Sequence, residues 1–240
     1  MDVMTAKIII IPDIHNDYFT AEKIIKKENP SKIIFLGDYF DDFDDTVQDA
    51  IDTAKWLKKS LKQENRIHLI GNHDLSYMTD NLNLKCAGYR TDKHKAIKKQ
   101  SIDWNKLKMH YWIDANWLCT HAGFSNDFLK QQRTKKSDSV QQVLDLSKKD
   151  LRNIDDKDYI HSFFQVGFSR GGSNVVGGPL WCDYNEFVDI PGINQIFGHT
   201  PNYTVRHRKT KNFEHYCIDT RLNHYTIYQN DVMLVKEQLG

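Results

Sequence analysis

The first 70 residues alternate short apolar runs with polar loops and amphipathic stretches, and this alternation constrains the fold more than any other feature. The apolar runs lie at residues 7–11, 33–36 and 67–70, and each contains isoleucine. Runs of this length and composition predict strands that are buried on both faces. Between them, residues 19–28 and 46–61 have the apolar spacing of helices. Strands and helices in this order predict right-handed crossovers and a parallel sheet.

The rest of the chain has a different pattern. Residues 75–108 are polar and rich in lysine, whereas residues 139–164 have helical spacing with a break near Asn153. Short apolar runs between turn residues predict further strands, antiparallel in the last third, at 117–120, 194–197, 203–206, 213–218, 225–228 and 232–235. We therefore predict an α/β fold, a four-layer α/β/β/α sandwich of two mixed sheets flanked by helices. We predict one domain over residues 1–240, with 75–108 and 125–175 as candidate inserted or lid segments.

The composition disfavours a dedicated nucleic-acid binder. The chain has 240 residues, of which 40% are hydrophobic, enough for the core of one domain. Its 33 Lys and Arg nearly balance its 32 Asp and Glu, whereas nucleic-acid binders usually have a basic excess. The basic residues 206–211 keep nucleic acid open as a partner, but we favour a solvated hairpin tip at that position.

The cysteines and the N-terminal residues lead to an expectation about location. The four cysteines form no Cys-x-x-Cys pair, which disfavours a zinc ribbon or a disulfide framework. The first apolar run, at residues 8–11, is too short for a signal peptide or a membrane span. We expect reduced thiols, no membrane partner and a cytoplasmic location, which for a viral protein means the cytoplasm of the host cell.

Polar motifs follow five of the predicted strands. Carboxylate, imidazole and amide groups of this kind suit borderline divalent metals such as Mn, Fe, Ni or Zn. Because open α/β sheets place ligands at the carboxyl ends of their strands, five such loops can converge on one site. The motifs are Asp13-Ile14-His15, Gly37-Asp38-Tyr39-Phe40-Asp41, Gly71-Asn72-His73-Asp74, Thr120-His121-Ala122-Gly123 and Gly198-His199-Thr200.

These motifs, in this order, resemble those of the calcineurin-like metallophosphoesterases, and they extend from residue 13 to residue 200. Each motif alone is a weak signal, but five in order are a strong one. The resemblance implies a centre of two divalent metal ions, with His73 as a general acid and Asp41 as the carboxylate that orients it. It implies that Asp13 and His15 bind the first metal, that Asp38 bridges both, and that Asn72, His121 and His199 bind the second.

Two details of the motifs indicate which branch of this family the chain resembles. Many members end the last motif with Gly-His-x-His, but Pro201 stands at the final position here. This variant, with Leu180-Trp181-Cys182-Asp183, is similar to the phosphoprotein-phosphatase branch and to the symmetrical diadenosine tetraphosphate hydrolases. That branch continues the second motif as Asp-Arg-Gly, whose Arg grips the phosphate, whereas this chain has Asp41-Asp42-Phe43. Arg170 and Arg90 are the candidate replacements.

The functional hypothesis is two-metal hydrolysis of phosphomonoesters by a metal-bound hydroxide, including Ser/Thr-type phosphoprotein dephosphorylation. The substrate is then a phosphorylated protein, nucleotide or small molecule. One alternative is a phosphodiesterase or dinucleoside polyphosphate hydrolase with the same metal centre, and another is a phosphate-binding module without turnover. We interpret the acidic residues 42–45 as a solvated loop, and the lysine-rich residues 93–99 as a solvated helix face.

Overall fold

The computed structural model describes residues 6–135 and 138–238, and its first sheet has five strands in the order β10-β9-β1-β2-β3. Three of these strands are parallel: β1 (Ile8–Ile11) pairs with β2 (Lys32–Phe35), and β2 pairs with β3 (Arg66–His68) at the edge of the sheet. On the other side of β1, β9 (His224–Gln229) runs antiparallel and continues to β10 (Val232–Glu237). The end of the chain therefore completes the sheet that its beginning starts.

The second sheet also has five strands, in the order β4-β5-β6-β8-β7. Its three inner strands, β5 (Trp117–Thr120), β6 (Asn194–Phe197) and β8 (Glu214–Cys217), are parallel to one another. The edge strands β4 (His110–Trp112) and β7 (Arg206–Lys209) are antiparallel to their neighbours. Both sheets are thus mixed, and each contains three adjacent parallel strands.

Helices cover the outer faces of the two sheets. A Thr46–Asp49 capping box starts α2, and the Asp17 side chain caps α1 by accepting the backbone N–H of Thr20. The α-helices are α1 (Tyr18–Glu28), α2 (Val47–Ser60), α3 (Asn72–Met78), α4 (Thr91–Lys98), α5 (Asn126–Gln132), α6 (Val140–Asp145) and α7 (Ser147–Arg152).

The alternation of side chains along β1 shows how the layers stack. Ile10 packs between the sheets together with Ile8, which lies on the same face of β1. Their cluster includes Cys119 and Ile196 of the second sheet. The alternate side chain Ile9 belongs to the other core cluster, which contains buried residues of α1 and α2. Because successive side chains of a strand point to opposite faces, β1 is buried on both. The predicted α/β sandwich of two mixed sheets flanked by helices is confirmed.

Several predicted elements differ from the structure. The inner strands β6 and β8 run parallel, not antiparallel, because the chain between them goes back along β7 before β8 begins. The strand predicted at 203–206 is instead β7 (Arg206–Lys209), and Tyr203 is exposed in the preceding turn. The turn residues between these short runs indicate where the chain reverses, but they do not show which strands become neighbours in the sheet.

The helix predicted at 139–164 is also wrong in its extent. Two short helices meet at Leu146, α7 ends at Arg152, and a single 3₁₀ turn follows at Ser162–Phe164. The strand β4 was not predicted from the sequence. Within residues 6–135 and 138–238, no helix has the length and apolar character needed to cross a bilayer.

Candidate metal centre and acid pair

The five polar motifs lie where strands β1, β2, β3, β5 and β6 end, and they meet at one edge of the sandwich. Asp38, His15 and His199 have φ angles of 50°, 43° and 69°. Positive φ is uncommon outside glycine, and such residues concentrate at functional sites. The backbone thus turns sharply just after each strand and directs these side chains back towards the sheet edge. The structure brings together all six predicted ligands: Asp13, His15, Asp38, Asn72, His121 and His199.

One group of ligand atoms surrounds Nε2 of His121. This nitrogen lies 3.0 Å from Asn72 Oδ1, 3.2 Å from His199 Nδ1 and 3.4 Å from Asp38 Oδ2. The other ring nitrogen, Nδ1, donates to the carbonyl of Leu36 at 2.9 Å, so Nε2 of the neutral ring carries the lone pair. A lone pair that faces several acceptors is favourable only with a cation between them, so these residues fit a metal ion.

The protonation of His121 is consistent with this interpretation. Burial lowers the pKa of the ring, but Asp38 and Asp13 outweigh burial and raise the pKa to about 9. The two carboxylates therefore favour a positive charge at this position, either a proton on the ring or a metal ion that replaces it.

A second group of ligand atoms, at the predicted site of the first metal, consists of Asp13, His15 and Asp38. His15 Nε2 lies 4.0 Å from Asp13 Oδ2 and 4.0 Å from Asp38 Oδ2. Its other ring nitrogen bonds to the carbonyl of Asp41 at 2.7 Å, which fixes the ring with Nε2 towards the carboxylates. Asp38 belongs to both groups of ligand atoms, the geometry that a bridging carboxylate requires.

Buried negative charge is concentrated around the second group. Asp13, Asp38 and Asp219 are all buried, with exposed fractions of 2%, 2% and 3%. Burial and the neighbouring Asp219 raise the pKa of Asp13 to about 7. Since unpaired buried charges are costly, a divalent cation at this position offsets a large penalty. Asp219 was not singled out in the sequence, although it follows strand β8 as the ligands follow theirs.

Two motif glycines make room for the carboxylates. A Cβ atom at Gly71 would come within 2.0 Å of Asp38 Oδ1, and one at Gly198 within 2.0 Å of Asp13 Oδ1. Any side chain at these positions would displace a ligand. The glycine before a ligand in these motifs is thus required by close approach of the backbone.

Asp74 ties two of the loops together. Its carboxylate is fully buried and accepts the backbone N–H groups of Gly71, Asp38 and Tyr39 at 2.8, 2.9 and 2.8 Å. The sequence pattern assigned no role to this residue beyond its place in the third motif. The structure shows that it holds the second loop against the start of α3.

The predicted acid pair lies beside the second group of ligand atoms. His73 Nδ1 is 3.0 Å from Asp41 Oδ2, and the backbone N–H of His73 donates to Asp38 Oδ1 at 2.9 Å. The rings of His73 and His15 meet edge to face, 5.3 Å apart. Burial lowers the pKa of His73, but Asp38 and Asp41 raise it well above its usual value. The ring is therefore held in its charged, proton-donating form.

The other oxygen of Asp41 has two partners that the sequence did not predict. Tyr77 donates to Oδ1 at 2.6 Å, and Lys93 Nζ bonds to the same atom and to Asp45. The Lys93 and Asp45 side chains are only 1% and 5% exposed, so the interpretation of both as solvated is wrong. Helical spacing could not show which face of α4 packs against α2 and α3.

The two candidate phosphate-binding arginines have different surroundings. Arg170 Nη2 donates to the carbonyl of His199 at 3.2 Å and to Thr200 Oγ1 at 3.1 Å, and Nε lies 2.9 Å from Asp183. Arg90 is half exposed, and its guanidinium bonds to Asp92 and to a carbonyl of the acidic loop. The structure thus places Arg170 directly beside a ligand loop.

This fold and these groups of ligand atoms define an α/β protein whose sheet edge could hold metal ions. The structure resembles a cold-active protein-tyrosine phosphatase of a psychrophilic Shewanella species, with TM-score 0.61, 15% identity, and 97% of this chain and 78% of that chain covered. It also resembles a protein serine/threonine phosphatase from Saccharomyces cerevisiae, with TM-score 0.54, 12% identity, and 99% and 82% covered. At such identities these likenesses establish the fold.

Residues 6–203 match the model of the calcineurin-like phosphoesterases. The chain therefore belongs to the calcineurin-like phosphoesterase family and is a hydrolase that acts on phosphate esters. No curated protein sequence matches it significantly. The resemblance stated from the motifs is confirmed.

We expect Asp74→Ala to destabilise the protein by at least about 3 kcal/mol, because it leaves three buried N–H groups without an acceptor, and each costs about 1–3 kcal/mol. Urea unfolding measures the change. The matched control is Asp44→Ala, an exposed residue of the acidic loop, for which a change within about 0.5 kcal/mol is expected. Equal stability of the two variants would contradict the structural role of Asp74.

Proposed function

We propose that the protein is a phosphomonoesterase that uses two divalent metal ions. The observation that carries this proposal is the position of Asp38, whose carboxylate belongs to both groups of ligand atoms. Asp13 and His15 would complete the first site, and Asn72 and two histidines the second. The ligand set suits Mn, Fe, Zn or Ni.

When bound by these residues, the metal ions would supply Lewis-acid polarisation of a phosphoryl oxygen and would acidify a water for attack on phosphorus. The chain supplies the remaining groups. His73, charged and held by Asp41, donates its proton to the departing oxygen of the ester. Asp41 keeps the ring oriented because Tyr77 and Lys93 hold its second oxygen and leave only Oδ2 for the ring. A departing alkoxide is thus neutralised as it leaves.

Arg170 is the proposed cation for the substrate phosphate. It replaces the arginine that the phosphoprotein-phosphatase branch carries after its second motif, where this chain has Asp42. Asp183 and the carbonyl of His199 hold its guanidinium beside the second metal site. Nε faces Asp183 and Nη2 donates to the last ligand loop, so Nη1 is the nitrogen that would donate to a phosphate oxygen of the substrate.

The proposed substrates are phosphorylated proteins, nucleotides or small molecules. Pro201, where many family members have a second histidine, leaves the first site with fewer protein ligands and supports the choice of monoesters. We propose a cytoplasmic location because all four cysteines are free and the cytoplasm keeps thiols reduced.

The proposal is tested by comparing hydrolysis of p-nitrophenyl phosphate and of bis-p-nitrophenyl phosphate by the protein loaded with Mn²⁺. We expect the monoester to be preferred. Asp38→Asn should bind less metal at both sites and lose most activity, since removing the shared carboxylate weakens each site. Preference for the diester would favour a phosphodiesterase, and binding of phosphate without turnover would favour a module without catalysis. Unchanged metal content in Asp38→Asn would contradict the bridge.

His73→Asn should retain its metals but lose about 10²–10⁴-fold in kcat on an alkyl phosphate, because a general acid contributes about that much. On p-nitrophenyl phosphate, whose leaving group needs little protonation, the loss should be much smaller. Lys93→Met should also lose more activity on the alkyl phosphate than on p-nitrophenyl phosphate, but less than His73→Asn does. The reason is that Asp41 loses one of the two partners that hold its second oxygen. Equal rates of parent and His73→Asn on the alkyl ester would remove His73 from the mechanism.

Arg170→Ala should lower kcat/KM for phosphomonoesters by about 10–100-fold, since hydrogen bonds to charged groups contribute about 1.5–3 kcal/mol. Steady-state kinetics measures the loss, and Arg208→Ala, an exposed arginine of β7, is the matched control. Arg90→Ala tests the other candidate. A greater loss in Arg90→Ala than in Arg170→Ala would reverse the assignment.

A further inference from the structure

A third group of potential metal ligands lies beside the two already described. It consists of Cys86 Sγ, His73 Nδ1 and Asp41 Oδ2, and we call it the Cys86 cluster. The three ligand atoms lie within 4.8 Å of one another. None of these residues belongs to the predicted set of six ligands. Cys86 itself plays no part in the proposed reaction, so its position against the acid pair calls for another explanation.

The distances in the Cys86 cluster suit zinc. Zinc lies about 2.3 Å from a cysteine sulfur and about 2.1 Å from a histidine nitrogen, so a tetrahedral arrangement separates these two atoms by about 3.6 Å. The separation of Cys86 Sγ and His73 Nδ1 is 3.6 Å. His73 Nδ1 and Asp41 Oδ2 are 3.0 Å apart, against about 3.4 Å around zinc. A small outward movement of the carboxylate is enough to admit the ion.

Neighbouring residues hold these groups in place. Tyr77 and Lys93 bind Oδ1 of Asp41 and leave Oδ2 as the oxygen that faces the sulfur and the ring. The hydroxyl oxygen of Ser76 lies 3.2 Å from the Cys86 sulfur. A zinc ion with one thiolate and one carboxylate is electrically neutral, and Lys93 is already balanced by Asp45.

The Cys86 cluster is accessible from solvent. Cys86 is half-buried, and the His73 side chain is 21% exposed. The other three cysteines are buried, and burial raises the pKa of the thiol in each: Cys119, Cys182 and Cys217. Cys86 is therefore the thiol best placed to meet an ion from solution.

We propose that the Cys86 cluster is an inhibitory zinc site, in which Cys86, His73 and Asp41 bind one Zn²⁺ and remove the general acid. Binding replaces the thiol proton of Cys86 and the Nδ1 proton of His73, and both protons pass to solvent. The ion then takes the place of the hydrogen bond between His73 and Asp41, so the ring is no longer available as an oriented general acid. The inhibition rests on the proposed function, whereas the binding does not.

Cobalt binding tests the site without reference to activity. Co²⁺ bound by a thiolate gives a sulfur-to-metal charge-transfer absorption, which the oxygen and nitrogen ligands of the other two sites do not produce. We expect this absorption in the protein loaded with Co²⁺, its loss in Cys86→Ser and His73→Asn, and its retention in Cys119→Ala, the matched control. Its absence from the parent protein, or its persistence in Cys86→Ser, would overturn the proposal.

Titration with zinc tests whether an ion bound at the Cys86 cluster inhibits hydrolysis. Zn²⁺ is titrated into the Mn²⁺-loaded protein during hydrolysis of an alkyl phosphate. Loss of an outer partner of a metal site typically costs about 10–100-fold in affinity, so loss of a ligand in Cys86→Ser should raise the half-inhibitory concentration by at least about tenfold. Equal inhibition of both proteins would refute the inhibitory role. A protein that shows the cobalt absorption but hydrolyses no ester would refute the proposed function and leave the zinc site in place.

Discussion

The site depends on one buried carboxylate, that of Asp38. It contacts ligand atoms on both sides, and the backbone N–H of His73 donates to it. A charge buried to this extent is costly unless cations and donors surround it. The left-handed backbone at Asp38, the missing side chain at Gly71 and the hydrogen bonds of Asp74 together hold it in place. The loops of the site are thus arranged around a single charge.

The sandwich brings residues from distant parts of the chain to this charge. Parallel strands end at the same edge of each sheet, and face-to-face packing places the two edges side by side. His199 therefore meets Asp13 across 186 positions of sequence, and its backbone N–H donates to that carboxylate. Membership of the calcineurin-like family is consistent with this arrangement, since the matched residues 6–203 include every motif.

Much of this could be predicted from the sequence because its signals are local. An apolar run followed by Gly-Asp or Gly-Asn indicates a strand end and a polar loop within a few residues. Strand direction in the second sheet could not be predicted, because it depends on where β7 returns the chain. The burial of Lys93 and Asp45 was also missed, because both are charged residues whose surroundings are set by the packing of α4. The same holds for Asp219, which lies beside Asp13 only after both sheets have formed.

The site has two parts that differ in local stability, because Asp41 is bonded to α4 and the candidate metal ligands are not. Lys93 bonds this eight-residue helix to Asp41, whereas the six candidate metal ligands follow strand ends or lie at the start of α3. Short surface elements open before core strands do. Transient fraying of α4 would therefore remove Lys93 from Asp41, while Tyr77 still donates to that carboxylate and the candidate ligands stay in place. Under the proposed mechanism this would loosen the acid pair but not the metal sites, so turnover of stable alkyl esters would fall at a lower temperature than turnover of activated esters.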